Sequence, residues 1–222
     1  MGLGGILQEL KREGVLALYH DYRSGRLVDY SGNGNNGTAT AVGFTKQGSG
    51  FLGTTSRILV PSSPTLQSAT GTLIGCYTVS NNAPQIRIIN KRGAASQIDW
   101  FQLNTTQLAM FDGTNLPTVT VPKTNGKVCN SVSWTSGGTP VGYQNGVSVG
   151  NYSLTLTPVL NNTDVTIGNQ NIGIANVLST QIVHYALIIN RALTATEHAR
   201  VYGQLENMKW NTKGLTPGPM MP

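Results

Sequence analysis

Apolar and polar residues alternate over short stretches along most of this chain. Residues 70–80 (TGTLIGCYTVS) and 127–135 (KVCNSVSWT) show the pattern most plainly. A period of two puts every second side chain on one face, as a half-buried strand requires. The same reading predicts strands at 15–22, 85–90, 98–104, 107–111, 119–121, 141–144, 147–149, 152–157, 163–168 and 180–189, and two strands meeting at a turn within 50–60. Asp112-Gly113 marks one reversal. Asn145-Gly146 is the strongest hairpin signal, because both residues accept the positive φ of a two-residue turn. No stretch between Gly14 and Asn190 carries a helical period, so alternating β–α–β units are excluded. About a dozen short strands between turns predict an all-β, antiparallel architecture, closed or double-sheeted.

Helical periodicity is confined to the ends. In 3–13, Ile6, Leu7 and Leu10 share a face opposite Gln8, Glu9, Lys11 and Arg12, and Gly14 stops the run. This segment is read either as an arm that docks on a partner or as a helix packed on its own domain. Thr194-Ala195-Thr196-Glu197 has the form of a capping box. It opens a helix with Ala199, Val201, Tyr202 and Leu205 on its apolar side. The tail after Trp210, NTKGLTPGPMMP, holds three prolines and two glycines and is expected to be flexible or extended. The expected organisation is a helical arm at 1–13, a β-sandwich at 14–210 and a tail at 211–222.

The densest turn signal is LVDYSGNGNNGT at 27–38, with three glycines and three asparagines following an aspartate. Gly and Asn tolerate positive φ, and Asp and Asn bond back to their own backbone, so the run reads as an elaborate self-capped turn. It resembles the D-x-SGNGN-x-G segment near the start of concanavalin A-like, laminin-G-type domains. Further segments match that family in order. Residues 51–60 and 70–79 resemble its early strands, 128–133 a core strand, and VGYQNGVS at 141–148 its Tyr–Asn-Gly hairpin. Residues 165–168 resemble its strand ending in Ile-Gly, and ALIINRALTATEHARVY at 186–202 its closing Asn-Arg-Ala-Leu segment. The resemblance covers about residues 14–208. It implies a concanavalin A-like jelly roll, an antiparallel two-sheet β-sandwich with short N- and C-terminal helices. Val183-His184 stands where the family often has Ile-Asp, and the aromatic usual in its second core strand is replaced near Cys76-Tyr77. His184 is therefore read as a structural or surface residue.

Composition modifies this picture modestly. Charged residues are only 11% of the chain, against about a quarter in ordinary domains. Gly, Asn, Thr and Ser fill the difference, which suits a sandwich with uncharged polar outer faces. The net charge of +6 is scattered, with Lys11–Arg12 and Lys91–Arg92 the only adjacent basic pairs. Nucleic acid is not expected as a partner, because no basic run interleaved with aromatics exists. Cys76 and Cys129 permit one bridge without requiring it, and buried free thiols are the favoured reading. No run approaches the length of a membrane span, and residues 1–23 lack a basic segment followed by an apolar one, so neither a membrane partner nor a cleaved leader is expected.

Some concanavalin A-like proteins are glycoside hydrolases, whose chemistry needs two carboxylates about 5–10 Å apart. The nine here are Glu9, Glu13, Asp21, Asp29, Asp99, Asp112, Asp164, Glu197 and Glu206, and no two alternate along a strand. His20, His184 and His198 lie far apart in sequence, and G-x-S-x-G and zinc-type spacings are absent. No enzymatic activity, cofactor or metal is expected. Asp29 with Asn33 and Asn35 offers calcium a single charge, so self-capping is favoured there. Trp100, Asp112, Asn115, Tyr143 and Asn145 are the candidate ligand-binding residues, as an aromatic platform with polar loop groups suited to a sugar; for Trp100 a core position is the competing reading. The first functional expectation is a non-catalytic structural or decoration protein on a bacteriophage virion surface, joined to other subunits through the arm or tail. The alternative is a carbohydrate-binding, lectin-like module of a cell-surface or secreted protein, with glycans as partners.

Overall fold

Two antiparallel sheets face each other, and two helices cover the outer side of one of them, in the computed structural model of this chain, which describes residues 5–51, 56–79, 86–91, 99–104, 106–112, 114–122, 126–158, 160, 162–168 and 181–208. The strands in chain order are β1 (Leu16–Asp21), β2 (Thr38–Thr40), β3 (Val42–Thr45), β4 (Gly48–Phe51), β5 (Arg57–Val60), β6 (Gly71–Val79), β7 (Ile86–Asn90), β8 (Asp99–Asn104), β9 (Gln107–Phe111), β10 (Thr118–Thr120), β11 (Gly126–Trp134), β12 (Val141–Gln144), β13 (Val147–Asn151), β14 (Val165–Gly168) and β15 (Gln181–Ile189). The helices are α1 (Gly5–Arg12) and α2 (Ala195–Asn207). The first sheet runs β13-β12-β11-β6-β15-β4-β3, with β1 also paired to β15; the second runs β10-β9-β8-β7-β14-β5-β2. From β4 to β7 the chain changes sheet at every strand, which is jelly-roll winding.

Alternation sorts the side chains between two cores. Leu73 and Tyr77 of β6, Val128 and Val132 of β11, and Ala186 and Ile188 of β15 face the second sheet, where they meet residues such as Ile58, Ile88, Trp100 and Met110. Gly75 lies in this interface, and a Cβ there would run into Ile88 Cγ2. The opposite faces of the same strands present Ile74, Cys76, Cys129, Tyr185, Leu187 and Ile189 to Ile6, Leu7 and Leu10 of α1 and to Val201 and Leu205 of α2. Arg200 of α2 pairs with Glu9 at 2.7 Å, and the Leu7 amide donates to Gln204 Oε1 at 3.2 Å. The apolar face of α1 that could have met a partner is thus used within the chain. The tail expected at 211–222 lies outside the described residues.

Several expectations are corrected. Cys76 and Cys129 form a disulfide rather than free thiols. They stand directly opposite each other on β6 and β11, on the helix-covered face. Segment 50–60 is not a strand pair: β4 joins β3 and β15 in the first sheet, whereas β5 joins β2 and β14 in the second. Alternation specifies a buried face but names no partner. Residues 152–157 form no strand. Their amides bond irregularly, Tyr152 to Pro140 O, Ser153 to Thr118 O and Leu156 to Gly138 O. Tyr152, Leu154 and Leu156 alternate with polar residues in sequence and so mimic a strand, but Leu154 is 50% exposed between buried Tyr152 and Leu156. The short strands β2 and β3 carried no readable pattern.

Candidate functional site

The Gly/Asn turn after β1 is a closed hydrogen-bond system. Asp29 Oδ1 accepts from the Tyr19 and Ser31 amides at 3.0 and 2.9 Å, and Oδ2 accepts from Ser31 Oγ and the Asn35 amide at 2.7 and 3.0 Å. Asn33 and Asn35 donate through Nδ2 to backbone carbonyls of β1, and Asn36 Oδ1 accepts from the Asp29 amide. His20 reaches Asn35 O at 2.9 Å and Tyr22 Oη at 3.0 Å. The carboxylate oxygens that calcium would need are thus engaged by donors of the chain itself.

The five candidate ligand residues do not converge, and most are structural. Trp100 is 0% exposed in the intersheet core, where Nε1 donates to Tyr152 Oη at 3.3 Å, so its face is not offered to a sugar. Asp112 is buried under the β9–β10 loop and accepts from the Asn115, Thr114 and Thr157 amides. Burial raises its carboxyl, but these N–H groups outweigh it and hold the pKa below the ordinary value. Asn115 is exposed in the same loop. Tyr143 is buried and stacks on the His198 ring, centroids 3.7 Å apart. Asn145 adopts φ 51° at the β12–β13 turn and ties it to β11, its amide donating to Cys129 O and its Oδ1 accepting from Cys129 N.

Histidines and carboxylates are likewise committed. His198 of α2 bridges Ser131 Oγ and Ser133 Oγ of β11 at 2.9 and 2.8 Å, and burial lowers its pKa to about 3. A serine–histidine pair so enclosed anchors a helix to a sheet rather than reaching a substrate. His184 occupies a bulge in β15, between the lengths that pair with β4 and with β1, and contacts Thr78 Oγ1 and Gln47 O. Its reading as structural agrees with this position. Two carboxylates do meet, Glu13 and Glu197, but both grip Arg191. The hydrogen bond from Arg191 pulls the Glu197 pKa down to about 2. A general acid needs the opposite shift.

Two places hold less constrained polar groups. At one end of the sandwich, a cleft of about 40 Å³ is lined by Leu66, Leu73, Trp134, Ile188, Lys91 and Asn190. Lys91 Nζ donates to Leu66 O at 2.9 Å, and burial lowers its pKa to about 8. That volume holds a water or two, not a sugar ring.

The other is a polar strip on the outer face of the second sheet. Arg57 and Leu59 alternate with core residues Ile58 and Val60, and Thr166 lies between core residues Val165 and Ile167. Ile88 and Ile89 both point inward at a bulge, which returns Asn90 to the outer face with Arg87. Register aligns Thr40, Arg57 and Gly168 in one row and Thr38, Leu59, Thr166 and Asn90 in the next. Exposure falls from Thr38 and Thr40 through half-buried Arg57 to buried Arg87, Asn90 and Thr166. Asn90 Nδ2 donates to Gly168 O at 3.2 Å, while Asn90 Oδ1 and Arg57 Nε are buried with no hydrogen-bond partner among the described residues. Sequence reasoning passed over this strip. Its signal was an arginine near the start of each of two apolar strands, first in RILV at 57–60 and second in IRIIN at 86–90.

Sheet winding and core define an antiparallel jelly-roll β-sandwich, consistent with the concanavalin A-like resemblance of the sequence. No family model and no curated protein matches the chain. Solved structures do. The binding domain of Paraclostridial Mosquitocidal Protein 1 superposes with a TM-score of 0.71 at 16% identity, over 89% of this chain and 53% of that one. A botulinum neurotoxin type C structure, described by a cell entry dependent on two ganglioside molecules, gives 0.68 at 13% identity, over 90% and 53%. Trypanosoma rangeli sialidase in complex with sialic acid gives 0.63 at 14% identity, over 83% and 32%. The chain thus spans about half of the toxin structures and a third of the sialidase. At these identities the likeness is one of fold.

Proposed function

We propose that this chain is a non-catalytic glycan-binding module that works outside the cell. The observation that carries this reading is the jelly roll shared over about nine-tenths of the chain with toxin structures, one described as a binding domain and another through its gangliosides. The sialidase captured with sialic acid adds a second sugar-handling neighbour in fold. The alternative drawn from the sequence, a carbohydrate-binding module, gains from these comparisons, whereas the virion role gains nothing. The Cys76–Cys129 bridge agrees with maturation in an oxidising compartment. Arg191 beside Glu197 and the N–H donors around Asp112 hold both carboxyls below their ordinary pKa, which is unsuited to a general acid. Among the described residues no helix is long and apolar enough to cross a membrane.

A printed glycan array probed with the oxidised chain, paired with turnover assays on chromogenic glycosides, tests the reading. Selective retention on a group of related glycans without hydrolysis is expected. Retention on none of them, or hydrolysis, contradicts it.

A further inference from the structure

We propose that the cleft at the end of the sandwich, walled by Leu66, Leu73, Trp134 and Ile188 with Lys91 and Ser68 at its mouth, receives the acetamido group of an N-acetylated sugar. This inference rests on the glycan-binding reading and names its ligand class. The cleft lies where β6 begins and β11 and β15 end, opposite the end of β7 and the start of β14. Gly71 makes room for the Trp134 wall, since a Cβ there would stand 2.8 Å from the ring. The volume of about 40 Å³ excludes a sugar ring. An acetyl group, with about the bulk of two waters, matches it.

Polarity changes along the cleft as it does along an acetamide. Leu66, Leu73, Trp134 and Ile188 are buried and offer a water few partners, whereas a methyl group gains from burial against them. Lys91, Ser68 and Asn190 are half-buried and form the polar end. Lys91 Nζ gives one hydrogen to Leu66 O, and an ammonium carries three. Burial lowers its pKa to about 8 although Asp164 nearby favours the charge, so the group is cationic at neutral pH yet poorly solvated. A ligand carbonyl accepts from it. Ser68 Oγ donates to Thr70 O and keeps a lone pair for the acetamido N–H. A plain hydroxyl could meet Lys91 but would leave the apolar walls unfilled, and an alkyl group would give the ammonium no acceptor. The acetamido group meets both needs.

Chemical shifts of the full-length, isotope-labelled chain give the test. The probes are the methyl glycosides of N-acetylglucosamine, N-acetylgalactosamine, glucose and N-butanoylglucosamine. One or both N-acetyl sugars are expected to move the Trp134 indole N–H and the amides of Ser68, Leu73 and Asn190. Glucose, which lacks the group, and the butanoyl sugar, whose chain is too long for the cleft, should bind at least tenfold more weakly. Lys91→Met keeps the stem, loses the donors and should weaken the N-acetyl sugar tenfold or more; unchanged affinity in the folded variant overturns the site. N-acetyl shifts confined to another surface, or equal binding of glucose or the butanoyl sugar, overturn it too and leave glycan binding intact. So does silence towards every probe when the array retains the chain. Silence here and on the array removes both readings. The wild-type shift map needs no variant to fold, so an unstable Lys91→Met protein does not spare the proposal.

Discussion

Asp29 holds four hydrogen bonds from three residues, Tyr19, Ser31 and Asn35, all of them from N–H or O–H groups. An asparagine of the same shape would turn one acceptor oxygen into a donor facing another donor. Asp29→Asn is expected to cost roughly 2–4 kcal/mol, read as a lower urea midpoint with unchanged slope. The histidines make a different demand. Burial lowers the pKa of His20, His184 and His198, the last from 6.5 to about 3. Between those values the unfolded chain holds a proton that the folded chain refuses. Stability is therefore full above about pH 6.5 and falls as the pH drops towards 3. His198 alone accounts for a loss of about 2 kcal/mol at pH 5. Urea midpoints at pH 7.5 and pH 5 should differ less in His198→Gln than in the wild type; an equal difference assigns the pH dependence elsewhere.

Elements depend on a few such residues for their placing. Helix α2 opens with a capping box, Thr194 Oγ1 accepting from the Glu197 amide and Glu197 Oε2 accepting from the Thr194 amide. Thr194→Ala should cost about 1 kcal/mol, visible as a lower melting temperature. The Cys76–Cys129 bridge closes a separation of 53 residues, and the chain-entropy relation puts its contribution at about 4 kcal/mol. A Cys76→Ala, Cys129→Ala double variant should lose most of that in denaturation experiments, and equal stability of reduced and oxidised protein would argue against the bridge. Much of this level was readable beforehand. Period-two alternation located β6, β11 and β15, the Asn-Gly pair located the β12–β13 hairpin, and Thr194 to Glu197 located the second helix. Pairing was not readable, because strands alternate in the same way whichever sheet they join, as β4 and β5 do. The disulfide was hidden for the same reason. Only the register of β6 against β11 brings the two cysteines opposite each other.

At the scale of the molecule, the first sheet gives its outer face to α1 and α2, while Arg57 and Asn90 stand on the outer face of the second. The candidate site was the least legible part of the sequence. Aromatic and Asx residues suggested Trp100 and Tyr143, yet a large ring serves a sandwich core or a helix seat as readily as a sugar platform. Arg57 and Asn90 lie in different strands with β14 between them, and only the sheet order joins them. The most direct measurement is binding of the labelled, oxidised chain to animal cells before and after enzymatic removal of their surface glycans. Saturable binding that disappears with the glycans is the predicted result; binding that survives their removal, or none at the outset, contradicts it.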